Sequence, residues 1–231
     1  MVFTLFDDFI YLLWPKTCVA CGRSLFKHEE NICNICYLEL PKTNFHLYID
    51  NPVSRLFWGR VKIEAAASFL YFNKGNKVQH IVHSLKYKGN KEIGIFLGKI
   101  YGEVLKYSPL FNIVDEIIPV PLHYKKFIYR GYNQSEMFGI GLSESMGKPL
   151  NTTTLLRDTF TETQTRKTRF NRWENVSEVF TLKDPLTIDN KHILLVDDVI
   201  TTGATIEACT NALLKAQNTK VSLVSIACAI N

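Results

Sequence analysis

His192-Ile-Leu-Leu-Val-Asp-Asp-Val-Ile-Thr-Thr-Gly-Ala-Thr205 is an apolar run that meets two adjacent carboxylates and then a turn of small and hydroxylated residues. Its pattern reads as a buried strand over 192–196, with Asp197 and Asp198 at its end, and a helix over 204–216. Thr201, Thr202, Gly203, Ala204 and Thr205 bring hydroxyls and closely approachable N–H groups to that helix's N-terminus, where the partial positive charge suits a phosphate monoester. Charged carboxylates at a strand end are costly to bury unless they accept strong hydrogen bonds, and vicinal ribose hydroxyls donate such bonds in pairs. A sugar phosphate fits both halves of the segment. An ordinary strand-turn-helix with a capping Thr accounts for the hydroxyls and leaves the paired acids unexplained.

Strands and helices alternate on either side of this segment. Strands are expected over 63–72, 113–120, 152–156 and 221–229, and helices over 78–85, 93–107 and 134–146. That alternation predicts a mostly parallel α/β sheet with ligands at the carboxyl ends of its strands. Phe3, Phe6, Phe9, Ile10 and Leu13 fall at helical spacing before Pro15, an amphipathic helix expected to dock on the protein's own core, with a membrane surface or a partner groove as alternatives. Residues 44–59 contain Pro52 and show no clear period. The domain boundary is therefore placed near residue 60, with 1–60 a small module and 61–231 the main domain.

The 231 residues are 46% hydrophobic and 12% aromatic, too apolar for intrinsic disorder. A net charge of +5 favours polyanionic partners only mildly. No long apolar run is free of charge, so no integral membrane segment is expected. Asp7 and Asp8 interrupt the greasy N-terminus and no basic region precedes it, which argues against a secretory signal. Four of the six cysteines form Cys18-Val-Ala-Cys21 and Cys33-Asn-Ile-Cys36, eleven residues apart. Two such knuckles converge four thiolates on one tetrahedral Zn²⁺, a closed and hence structural shell. An iron–sulfur cluster or a redox pair is the alternative. His28 is expected to be exposed, and Cys209 and Cys228 to be core residues. Clustered thiols without a signal point to the cytoplasm.

Two upstream stretches carry further phosphate chemistry. Ile118-Pro-Val-Pro-Leu-His123 followed by Arg130-Gly-Tyr-Asn-Gln134 offers a strand end, a loop and a helix start with cations and N–H donors. His123, Arg130, Gly131, Asn133 and Gln134 are its candidate pyrophosphate ligands. Residues 157–172 hold four Arg and one Lys against two acids, too polar to build a core and suited to a loop that closes over a charged leaving group. Arg157, Gln164 and Arg172 are its candidates. Lys86, in the Leu-Lys-Tyr-Lys-Gly segment placed after the helix over 78–85, is a further candidate from the hood side.

The run from Leu195 to Thr205 resembles the phosphoribosyl pyrophosphate signature of type I phosphoribosyltransferases. The resemblance implies that Asp197 and Asp198 hold the ribose hydroxyls, that the Thr201–Thr205 turn cradles the 5-phosphate, and that a parallel sheet of about five strands carries a hood. The Val-Pro stretch is similar to the pyrophosphate loop of glutamine amidophosphoribosyltransferases. The order of motifs, from the four-cysteine module through Val-Pro-Leu-His, Arg-Gly-Tyr-Asn-Gln, Thr-Gln-Thr and Asn175-Val176 to the Asp-Asp turn, resembles the ComF family of competence-associated phosphoribosyltransferase-like proteins. Arg166-Lys167 departs from that family's pattern of a small and an apolar residue.

This resemblance implies a phosphoribosyltransferase acting on Mg²⁺-bound phosphoribosyl pyrophosphate, with Asp197, Asp198 and Arg130 as its catalytic residues. It also implies a role in natural transformation, in which single-stranded DNA enters the cytoplasm with a helicase-like partner. The alternative is a competence factor without turnover that uses its phosphate pockets on DNA. Lys86–Lys91, Lys125 and Lys126 would then follow the backbone, and Tyr124, Phe127, Tyr129 and Tyr132 would stack on bases or lie in the core. Two acids would repel a phosphate-only groove, whereas a ribose site needs them.

Overall fold

The computed structural model describes residues 15–73, 76–157 and 180–229. In chain order the elements are α1 (Asn34–Leu38), α2 (Pro52–Arg55), β1 (Ala66–Tyr71), α3 (Lys77–Tyr87), α4 (Glu92–Leu105), β2 (Glu116–Pro119), α5 (Tyr124–Arg130), α6 (Gln134–Met146), β3 (Leu155–Arg157), β4 (Phe180–Leu182), β5 (His192–Ile200), α7 (Ala204–Leu213) and β6 (Lys220–Cys228). The expected helix over 3–13 and all of the basic loop beyond Arg157, with Gln164 and Arg172, lie outside the described residues.

The sheet is parallel, in the order β1-β6-β5-β2. Ala66, Leu223, Leu195 and Ile118 stand side by side across it, all buried. β5 and β6 are covered on both faces, which is why their sequences run apolar without alternation. Among the described residues the sheet has four strands, where about five were expected. At the free edge of β2 a single bridge, Leu150 to Ile117, takes the fifth place, while β3 and β4 pair antiparallel apart from the sheet.

β5 is longer than its apolar run predicted. Its ladder to β6 continues through Asp197–Ser225, Val199–Ala227 and Ile200–Cys228, so the two acids lie within the strand rather than at its end. On the other side β2 stops pairing at Pro119, opposite Val196. The acids therefore project just past the end of β2. Likewise α3 extends to Tyr87, so Lys86 sits in its last turn and not beyond it.

The sheet's helical cover is tightly joined. A Cβ on Gly98 of α4 would stand 2.2 Å from the Phe138 carbonyl oxygen, and one on Gly141 of α6 would stand 2.1 Å from that of Ile95. The two backbones touch there, and only glycine permits it. Residues 41–60 are also better ordered than their lack of period implied. Pro41–Thr43 runs along β1, with Tyr71 N donating to the Pro41 carbonyl and Thr43 N to that of Phe69. Asn51 and Ser54 cap α2 reciprocally, and Asn51 Nδ2 donates to the Ala66 carbonyl at 2.8 Å. Buried residues from Cys18 to Cys228 form one continuous core.

Candidate functional site

Parallel pairing puts the carboxyl ends of β5 and β2 beside each other, and Asp197, Asp198 and Lys86 meet there. Asp197 Oδ1 accepts from the Ser135 hydroxyl at 3.0 Å and from the Asp198 N–H at 2.8 Å. Burial, then the neighbouring Asp198 charge, lift the Asp197 carboxyl to about 7, a rise that those two donors and Lys86 only partly offset. Lys86 reaches across from α3 to grip Asp198 with both oxygens, at 3.0 and 2.9 Å. These side chains are 20% and 14% exposed, so solvent screens the pair only weakly.

The turn after β5 leaves Thr201, Thr202, Ala204 and Thr205 exposed, with Gly203 buried as the N-cap of α7 at φ +77°. Side chains and N–H groups at an uncovered helix start are what a phosphate requires. In the segment after β2, His123 caps α5, its Nδ1 accepting from Lys125 N at 3.1 Å. Burial and then the charges of Arg157, Lys125 and Lys126 hold this imidazole below its ordinary value. With Nδ1 accepting, Nε2 carries the proton and is left as a donor. Arg130 donates from Nη1 to Gln134 Oε1 at 2.6 Å and lies over the Tyr87 ring, 5.3 Å from its centre. Gly131 ends α5, and Asn133 caps α6 while donating to the Val120 carbonyl at 2.9 Å. Asn133 and Gln134 are both buried, so their work here is to fix the loop.

Arg157 ends β3 with its guanidinium carbon 5.1 Å from the centre of the Phe180 ring, and its buried Nε finds no acceptor among the described residues. That N–H is a single candidate donor. Three contributors escaped the sequence reading. Ser135 orients Asp197, Phe57 packs beneath Gly203, and Arg60 donates to the Thr202 carbonyl at 3.0 Å. Ser135 follows a quoted motif directly. The other two come from the stretch without periodicity, where no local signal marks a long-range contact.

The four cysteine sulfurs lie within 4.8 Å of one another, with Cys21 and Cys33 Sγ 3.9 Å apart. Zn–S bonds of about 2.3 Å in a tetrahedron put sulfurs about 3.8 Å apart, so the cluster fits a metal such as zinc. Glu29, between the knuckles, accepts from Phe26 N and Asn34 N at 2.8 and 2.7 Å and holds them in register. Cys33 N donates to Cys18 Sγ at 3.3 Å. Burial raises the Cys18 thiol, but the N–H groups of Cys33, Cys21 and Ala20 outweigh it and bring it down to about 7. Cys209 and Cys228 are buried core residues.

Residues 155–231 match the phosphoribosyl transferase domain family. The chain is 32% identical over 138 residues to DNA utilization protein YhgH of Salmonella typhimurium, covering 58% of this chain and 60% of that one. It is 28% identical over 206 residues to the Shigella flexneri protein of that name, 86% and 84% of the two chains. It is 26% identical over 211 residues to Competence protein ComFC of Bacillus subtilis, 89% and 82% of the two. A solved glutamine phosphoribosylpyrophosphate amidotransferase from B. subtilis aligns with 63% of this chain and 30% of its own, at 18% identity and a TM-score of 0.44. The parallel core and the domain match define a type I phosphoribosyltransferase fold. Within that class the chain is a ComF-family, phosphoribosyltransferase-like protein.

Proposed function

We propose that this protein binds Mg²⁺-bound phosphoribosyl pyrophosphate and transfers its ribosyl phosphate to a nucleophile. The paired carboxylates one turn ahead of an exposed phosphate-type helix start carry this reading. Asp197 and Asp198 would accept the ribose hydroxyls, and the Thr201–Thr205 turn would hold the 5-phosphate. Arg130 and Arg157 would neutralise the departing pyrophosphate, whose charge grows as the ribosyl carbon becomes cationic, and the neutral His123 would donate to it from Nε2. Gln164 and Arg172, which lie outside the described residues, are further proposed ligands for it. Positioning and charge stabilisation are the protein's contribution. Mg²⁺, when bound, would add cationic charge to the pyrophosphate oxygens while keeping several waters.

The two Asp198 oxygens have lone pairs for the ribose hydroxyls beside the Lys86 ammonium, which would hold this carboxylate charged and oriented for them. Zinc in the four-cysteine cluster is structural in this reading, and the protein works in the cytoplasm. Calorimetric titration with phosphoribosyl pyrophosphate and Mg²⁺, beside an Asp197→Asn, Asp198→Asn double variant, tests the site. Binding lost in the variant supports it, pyrophosphate release makes it an enzyme, and a wild type that binds nothing removes it.

One observation favours a second reading, single-stranded DNA binding without turnover. α5 buries none of its residues, and exposes Tyr124, Phe127, Ile128 and Tyr129 beside Lys125 and Lys126. Stacking faces interleaved with cations suit a single strand. The names of the relatives, in DNA utilization and competence, agree with such a role, and a helicase-like partner would accompany it. Tyr132 does not belong to this surface, because its hydroxyl donates to the Leu85 carbonyl.

A further inference from the structure

The phosphate turn is held from outside the matched domain, by the segment that follows the cysteine module. Phe57 is fully buried directly beneath Gly203. A Cβ there would meet the ring at 2.9 and 3.0 Å. Arg60 then directs four of its five N–H donors to the turn and its surroundings. Nη1 donates to the carbonyls of Leu56 and Thr202, each at 3.0 Å, while Nε at 3.0 Å and Nη2 both donate to Glu207 Oε2.

In a trans peptide the C=O and the following N–H point in opposite directions. No cis bond occurs among the described residues. A Thr202 carbonyl drawn toward Arg60 therefore turns the Gly203 N–H away from Arg60. Glu207 lies in the first turn of α7, where its charge favours the helix but repels an incoming phosphate. The Arg60 guanidinium neutralises it at close range. One side chain thus sets the direction of a donor and removes an opposing charge without touching a ligand.

We propose that Arg60 is a positioning residue for the phosphate turn and tunes its affinity for the 5-phosphate. The proposal rests on the phosphoribosyl reading of that turn. It predicts a selective effect, because pyrophosphate is assigned to the β2 side of the site, away from Arg60.

Arg60→Ala, Arg60→Lys and Glu207→Gln, each checked for a wild-type circular dichroism spectrum, would be titrated with ribose 5-phosphate and separately with Mg²⁺-pyrophosphate. Arg60→Ala is expected to weaken ribose 5-phosphate roughly tenfold, about the worth of one charge-assisted hydrogen bond, and to leave pyrophosphate within twofold. Arg60→Lys should recover part of the loss, since one ammonium cannot span both partners. Glu207→Gln should bind as well as wild type or tighter. Equal weakening of both ligands, or no weakening, would overturn the inference while leaving the site's function standing. A wild type that binds neither ligand would end both.

Discussion

Asp197 lies at the centre of the candidate site with its carboxyl well above the ordinary range, and the direction of that shift sets a pH signature. Its carboxyl rises from near 4 toward 7, chiefly through burial and then through Asp198. The folded protein therefore takes up a proton that the unfolded chain does not hold between those values. Stability from this group is fully present below pH 4 and is lost as pH climbs to 7. Asp197→Asn should accordingly raise the thermal midpoint of the ligand-free protein by a few degrees at pH 8 and change it little at pH 4. An equal shift at both values would contradict the assignment. Binding moves the other way: the carboxylate must be charged to accept hydroxyls, so wild-type affinity for phosphoribosyl pyrophosphate should fall as pH drops below 7. Gly203 makes an independent case, needing both its left-handed φ and the absence of a Cβ over Phe57. Gly203→Ala is expected to cost about 1–3 kcal/mol in denaturant unfolding and to weaken phosphate binding with it.

Among the elements, α4 and α6 meet backbone to backbone at Gly98 and Gly141, with carbonyl oxygens where any Cβ would sit. Alanine at either position must push the helices apart. We expect a loss of roughly 2–4 kcal/mol in urea titration, far above that of an exposed helix glycine, for which the same change would stabilise. α5 should behave oppositely. Phe127→Ser with Tyr129→Ser removes nothing buried and should leave the thermal midpoint unchanged, while lowering affinity for a single-stranded oligonucleotide if the DNA reading holds. These elements also show how far the sequence could be read. β5, β6, α4, α6 and α7 were legible because buried strands and amphipathic helices write their burial into local periodicity. α5 and β4 were not: a helix with no buried residue has no apolar stripe, and a three-residue strand has too few positions for a period. Asp197, Asp198 and the turn could be singled out from residue type and order, and the structure places the acids on β5 and the turn at the start of α7. Arg60 and Phe57 were not legible, since their partners lie about 142 residues away along the chain.

Across the whole molecule, the cysteine cluster and the candidate phosphate site share one core. Cys18, Cys33 and Cys36 are buried in the same continuous cluster as Val53, Phe57, Leu70 and Leu195. Residues 41–43 bond to β1, Asn51 bonds to Ala66, and Phe57 underlies Gly203, so the chain leaving the cysteines is packed along its length to the phosphate turn. A four-thiolate metal supplies folding free energy on the order of 10 kcal/mol in small modules. A module that folded separately would lose its metal without consequence for the sheet. Here the contacts predict coupling. Purified protein should contain one zinc per chain, measured by elemental analysis. A strong chelator at pH 7 should expose four additional reactive thiols and lower the midpoint of the single main thermal transition, with the fluorescence of Trp58, next to the buried Phe57, changing in step. A chelated protein that loses its zinc yet melts unchanged, or that shows a separate early transition, would mean that the cysteine module and the sheet are energetically independent despite their shared core.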